Sequence, residues 1–256
     1  MTAGTEGYRL VDMARTDQLT EIPARPQAGM PASAAKERQL ERYAADLRET
    51  FIEERARTRQ LHNSYIATVL ALTNAVEARD AYTGEHAERV TGYGLRIAAE
   101  VDPGLAADAQ LEFGFLLHDI GKVAVPDAIL HKLEPLTDQE RELLEWHPIT
   151  GCEILHQVEY LAGAKQVIRH HHERWDGTGY PDGLRGEEIP LSARVFAVAD
   201  ALDAITTDRP YRDARSLAAA RPEIVAAAGS QFDPLVVEAF ERIPDQDFER
   251  ISAEPA

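Results

Sequence analysis

Cysteine is nearly missing from this 256-residue chain, where Cys152 stands alone. One thiol cannot form an internal disulfide, so a disulfide-stapled scaffold is excluded and a reducing cytoplasm suits the chain. Long apolar runs are missing too. No stretch approaches the roughly 18 residues that a membrane helix needs. The opening MTAGTEGYRL has neither the basic start nor the apolar core of a signal peptide. A soluble cytoplasmic protein with no membrane partner is the expectation. Positive charge is scarce: 27 Lys and Arg against 44 Asp and Glu give a formal net charge of −17. Binding to a nucleic-acid polymer needs a basic footprint, so that class is set aside. A phosphorylated small substrate remains open, provided metal ions or a local basic cluster offset the repulsion at its site.

Strand signals are almost absent, and the class expected is all-α. Residues 1–33 lack hydrophobic periodicity and contain EIPARPQAGMPAS, with three prolines. They read as a disordered or linker segment. Residues 34–74 read as one long helix that no proline or glycine interrupts. Leu40, Leu47, Glu54 and Leu61 fall seven apart, a ragged heptad with a polar residue at one core position. Two readings stand: a single amphipathic helix packed on its own domain, or a parallel coiled coil that makes a homodimer and carries a signal. Residues 75–256 form the remaining domain. Its helices include one through TGEHAERVTGYGLRIAAEV with Thr83 as a candidate N-cap, and AADAQLEFGFLLHDIG ended by Gly121. LTDQERELLEWH opens with a Thr137–Glu140 capping box, and Pro148 starts PITGCEILHQVEYL and forces His147 out of the helical region. AGAKQVIRHHHER follows, then LSARVFAVADALDAITT with Ser192 as a candidate cap.

Nine histidines are spread over this chain. His118 precedes Asp119 within the apolar stretch FGFLLHDIGK, and buried His and Asp are costly unless paired or bound to a cation. Mixed imidazole and carboxylate shells suit Fe, Mn, Zn or Mg rather than Cu(I). Each candidate also has an ordinary reading. His86 alone fits a helix surface, and His147 before Pro148 fits a cap. Asp200 fits a satisfied buried carboxylate, and Asp203, one turn later on the same side, is not distinguished from it by spacing. The run His170, His171, His172 spreads around a helix, so only some of the three face inward.

The set as a whole resembles the HD-GYP family, a branch of the HD metal-dependent phosphohydrolases. The stretches that carry the resemblance are EARDAYTGEHAERV, HDIGKVAVPDAIL, HPITGCEIL, HHERWDGTGYPDGL, IPLSARVFAVADALDAITTDRPYR and FDPLVVEAF, in family order. They run from about Ala75 to Ile243, and the GYP triplet is Gly179, Tyr180 and Pro181. The resemblance implies an HD-type helical bundle with a C-terminal GYP-containing extension. It implies two divalent metals, Fe or Mn first, with Zn, Mg and Ni also acceptable. Its ligand positions fall on His86, His118, Asp119, His147, His171, His172 and Asp200. Asp119 would bridge, His86, His118 and Asp200 would hold one metal, and His147, His171 and His172 the other. Asp203, His170, His131, His156 and His62 lie outside that set. Some relatives carry a glutamate four residues before the first histidine that supports a third metal. Tyr82 stands there in this chain, so two metals are expected.

By the same resemblance the activity is hydrolysis of cyclic di-GMP to pGpG, GMP or both, by a metal-bridged hydroxide. Lys122, Arg209 and Arg212 would contact the substrate phosphates, and Lys122 is also a candidate proton donor to the leaving oxygen. Arg209 and Arg212 have an ordinary reading as surface ion pairs with Asp208 and Asp213. Tyr180 would either stack on a guanine or only brace its loop. Two alternatives remain: an HD enzyme acting on another cyclic nucleotide, and a non-catalytic sensor of cyclic di-GMP that meets a signalling partner through the GYP loop.

Overall fold

A computed structural model of the chain describes residues 32–79, 86–208 and 213–253. The architecture is all-α. Among the described residues there is no strand, only an isolated bridge between Ala228 and Phe232. No described helix is long and apolar enough to cross a membrane. The chain separates into two compact units, residues 1–60 and 61–256.

In the first unit the described residues belong to the long helix, which spans Ala32–Glu77 and continues into the second. Thr50 and Thr58 hydroxyls donate to carbonyls one turn back, and Leu40, Leu47 and Phe51 are exposed. The expected disordered segment before it lies outside the described residues.

The second unit is built on two helices of equal length, His86–Val101 and Leu191–Thr206, which pack against each other. Their apolar faces close a core with Phe115, Phe240 and Phe248, all fully buried. A second cluster gathers Phe113, Leu116, Leu117 and Ile168 against Val69 from the end of the long helix. Burying such side chains contributes about 1.5–3 kcal/mol each before the entropy of ordering them is counted. These two layers are the platform on which the histidines stand.

Several local expectations change in the structure, and each change matters for the site. The helix before His118 stops at Leu116 rather than at Gly121, so the His118–Asp119 pair lies in the turn that follows. A 3-10 turn, Ile120–Ala124, comes next. Likewise the helix through the histidine run ends at His170, leaving His171 and His172 just beyond it. His171 keeps a helical backbone at the C-cap, and its ring and that of His172 lie 4.1 Å apart. His147 is the first residue of the His147–Ile154 helix, not a residue outside it. Ser192 lies inside the first turn of a helix that starts at Leu191, after Pro190, so it caps nothing. The Thr137–Glu140 capping box is present as expected. Thr83 lies outside the described residues.

Candidate metal centre

The site is built around Asp119. His118 donates from Nδ1 to the Phe115 carbonyl at 2.8 Å and faces Asp119 Oδ2 with Nε2 at 3.1 Å. His147 donates from Nδ1 to the Leu144 carbonyl at 2.7 Å, and His171 donates from Nδ1 to Ile168 at 2.9 Å. A carbonyl oxygen only accepts, so these Nδ1 atoms carry the proton. In a neutral ring Nε2 is then a bare acceptor. His147 Nε2 lies 3.2 Å from His171 Nε2 and 3.2 Å from Asp119 Oδ1. His171 Nε2 lies 3.8 Å from the same oxygen. With both rings neutral, three acceptors converge there, and Asp119 Oδ1 is buried without a hydrogen-bond partner. That arrangement is repulsive by itself and is relieved by a cation at its centre. His172 joins them: Asp119, His147, His171 and His172 each offer a ligand atom within 4.8 Å of the others.

The electrostatics keep His171, His172 and Asp119 in the form that binds a cation. Burial holds His171 well below the usual imidazole range, and the neighbouring His172, His147 and His118 add to it. Burial, then His147, pushes His172 down to about 3. For Asp119 burial favours the acid, but Lys122 and His118 outweigh it and hold the carboxyl well below its ordinary value. Lys122 Nζ donates to Asp119 Oδ2 at 2.8 Å. Burial also opposes a charge on His118, yet Asp119 beside it raises that ring's affinity for a proton.

A second cluster of side chains adjoins the first through the His118 ring, whose centroid is 5.5 Å from that of His86. His86 opens the His86–Val101 helix. Its Nδ1 donates to Asp203 Oδ2 at 2.7 Å, which leaves Nε2 facing Asp200 Oδ1 at 3.7 Å. Arg89 Nε donates to Asp203 Oδ1 at 2.6 Å. Asp200 and Asp203 thus grip the two nitrogens of one imidazole from one face of one helix. Spacing did not choose between them because the structure uses both. The role of Asp203 was missed in the sequence, and the signal was there: a buried acid one turn from Asp200, with an arginine one turn from His86 as its partner. Burial pushes the Asp203 carboxyl up, but the bonds from His86 and Arg89 outweigh it and lower it.

Two glycines set the approach of the segments. A Cβ on Gly121 would collide with the His147 carbonyl, so only glycine lets the HDIG turn seat against the His147 helix. A Cβ on Gly179 would strike the Arg174 amide and the His172 carbonyl. The GYP loop is thereby pressed onto the histidine run, and the Tyr180 ring stacks on His172 at 4.7 Å and 28°. One face of that ring is occupied by the imidazole. Glu173 accepts from the Asp182 and Leu184 amides at 2.8 and 3.1 Å, and Arg169 donates twice to Asp182, each at 2.7 Å. His170, Glu173 and Asp182 form a further acid-histidine group. Its carboxylates are already engaged, so it braces the loop.

Of the seven side chains expected as ligands, Asp119, His147, His171 and His172 lie together, and His118, His86 and Asp200 adjoin them through the contacts given above. His131 and His156 are exposed and outside it, and His62 faces Glu112 at 3.4 Å. Tyr82, Arg209 and Arg212 lie outside the described residues. A family model described as "HD domain" matches residues 40–236. The chain belongs to the HD domain family. Within it, the intact GYP loop and the relatives place it in the HD-GYP branch. It is 41% identical over 172 residues to a 3'3'-cGAMP-specific phosphodiesterase of Vibrio cholerae, covering 66% of this chain and 33% of that one. It is 40% identical over 182 residues to a cyclic di-GMP phosphodiesterase of Thermotoga maritima, covering 70% and 50%. The chain spans a third to a half of the length of these curated relatives. Among solved structures, an HDG"Y"P protein of Bdellovibrio bacteriovorus shares the fold with a TM-score of 0.51 and 20% identity, over 75% of this chain and 64% of that one. The donor set of this HD-GYP domain suits divalent cations: neutral imidazoles, two carboxylates outside the Arg89 pair, and one buried oxygen without a partner.

Proposed function

We propose that this HD-GYP domain is a cyclic di-GMP phosphodiesterase that holds two divalent ions, Fe(II) or Mn(II) first. The observation that carries this reading is the buried, unpartnered Asp119 Oδ1 facing the Nε2 atoms of His147 and His171. Asp119, His86, His118 and Asp200 would hold one ion, and Asp119, His147, His171 and His172 the other. Ions bound there would supply charge neutralisation of a phosphodiester and an activated water. The protein's part is to hold the ligands fixed. Backbone carbonyls at Phe115, Leu144 and Ile168 and the Asp203 carboxylate fix the tautomers of His118, His147, His171 and His86.

Lys122 Nζ lies 2.8 Å from Asp119 Oδ2, and its ammonium can exchange Asp119 for a substrate phosphate oxygen. It is also placed to pass a proton to the leaving 3′ oxygen. Arg209 and Arg212, just after the helix that carries Asp200, complete the countercharge that a dianionic substrate requires in a chain of net charge −17. Tyr180 braces the loop by stacking one face on His172. A second substrate is favoured by one observation. The identity to a cGAMP-specific enzyme, 41%, matches that to a cyclic di-GMP enzyme, 40%, so identity does not separate guanine-only from mixed dinucleotides.

The test is hydrolysis by purified protein loaded with Fe(II) or Mn(II) under reducing conditions. Cyclic di-GMP and 3'3'-cGAMP are compared by kcat/KM, and products are resolved as pGpG or GMP. His118→Ala and Asp119→Ala should abolish turnover. A fully loaded wild-type protein that cleaves neither dinucleotide would overturn the proposal.

A further inference from the structure

The EARD stretch at the end of the long helix has no part in the centre described above, yet it holds a buried acid. Glu77 is only 7% exposed. Its Oε1 accepts from the Ala87 amide at 3.0 Å. That amide belongs to the peptide bond directly after His86, in the first turn of a helix whose leading N–H groups have no intrahelical acceptors. The other oxygen, Oε2, is buried without a hydrogen-bond partner. Glu77 also lines a small cavity shared with Thr73, Leu116, His118 and Asp119. The same end of the helix grips the neighbouring segment on both sides of the His118–Asp119 pair. Thr73 Oγ1 donates to the Leu116 carbonyl at 3.0 Å, and Arg79 donates to the carbonyls of Val123 and Val125 at 2.8 and 3.1 Å.

We propose that Glu77 is a positioning residue for the His86 half of the metal centre. Fixing the plane of the His86–Ala87 peptide fixes the Cα–Cβ direction of His86, and so the point at which Nε2 meets an ion. Asp203 holds the far end of the same ring, so the imidazole is set by one contact on its backbone and one on its Nδ1. The requirement is for an acceptor at this reach from the long helix, not for a charge. The proposal rests on the metal-centre reading above.

Two variants of the full chain separate reach from charge. Glu77→Gln keeps an oxygen acceptor at the same distance, and Glu77→Asp keeps the charge but is one methylene short. Hydrogen exchange at the Ala87 amide is read without metal, and Mn(II) affinity is read by titration. Glu77→Asp should speed Ala87 exchange about tenfold or more and weaken Mn(II) binding about tenfold to a hundredfold, the range for groups that orient ligands. Glu77→Gln should match the wild type in both. The proposal is overturned if Glu77→Asp matches the wild type in either readout, or if Glu77→Gln loses Mn(II) as Glu77→Asp does. Should Glu77→Asp not fold, the glutamine variant decides alone, by wild-type behaviour or by a tenfold loss. Neither readout involves turnover. A chain that binds Mn(II) and leaves cyclic di-GMP intact would sink the substrate reading without touching the result for Glu77.

Discussion

The two halves of the centre are built by opposite means. Around His147, His171 and His172 the ligands are all imidazole, and the Nδ1 atoms of His147 and His171 bond to backbone carbonyls. That half is compact, with its ligand atoms and Asp119 within 4.8 Å of one another. Around His86 the ring is held by a side chain, Asp203, which is itself held by Arg89, and Asp200 stands 3.7 Å away. A carbonyl anchor comes with the backbone and cannot be removed by substitution. A carboxylate anchor can be. The histidine half should therefore be robust in everything except its ligands, whereas the His86 half depends on groups that never touch an ion.

The largest effects should come from the ligands themselves. His147→Ala opens the compact half and His86→Ala the other. Each should leave about one ion per chain by metal analysis, and turnover should vanish in both, because a phosphodiester needs both ions in the two-metal arrangement. Equal loss of both ions in either variant would mean that the halves are not separable. The next effect should be confined to one side. Asp203→Asn keeps the shape and loses the charge that orients His86, and it leaves Arg89 without its carboxylate. Metal affinity or kcat should fall about tenfold to a hundredfold, with the stoichiometry at the histidine half unchanged. A variant indistinguishable from wild type would show that Arg89 and Asp203 serve only folding.

The contrast also marks what was legible in the sequence. The seven positions expected as ligands came from the resemblance to a known family, whose motifs fix their order; from the residues alone His86, His147 and Asp200 each kept an ordinary reading. The all-α class was plain, from helical periodicity with few strand signals. The anchors were harder. A carbonyl belongs to every residue, so Phe115, Leu144 and Ile168 carry no mark of their role. Helix ends were misplaced at Leu116 and His170 for a related reason. Apolar periodicity runs on past the point where the backbone turns, and what ends the helix is the tertiary demand of the pocket. Glu77 sat in a quoted motif, yet its partner is a backbone amide ten positions away across a helix boundary. No pairwise pattern of side chains reports that contact.

The smallest expected effect is on acid stability without metal, and it should have opposite signs in the two halves. His172 is pushed down to about 3 by burial and by His147. An imidazole in the unfolded chain takes a proton near 6.5. Between those values the unfolded chain binds a proton that the folded one refuses, so the folded state loses stability as pH falls below about 6.5. His118 behaves in the other direction. Asp119 raises its proton affinity against the opposing burial, so its contribution is present below about 6.5 and is lost as pH rises through its folded value. In chelator, urea unfolding at pH 5 should therefore show His172→Gln gaining stability relative to its own difference from wild type at pH 8. His118→Gln should lose stability at pH 5 by the same comparison. Equal pH dependence in the two variants would mean that the rings share one proton rather than dividing into a half that refuses it and a half that takes it.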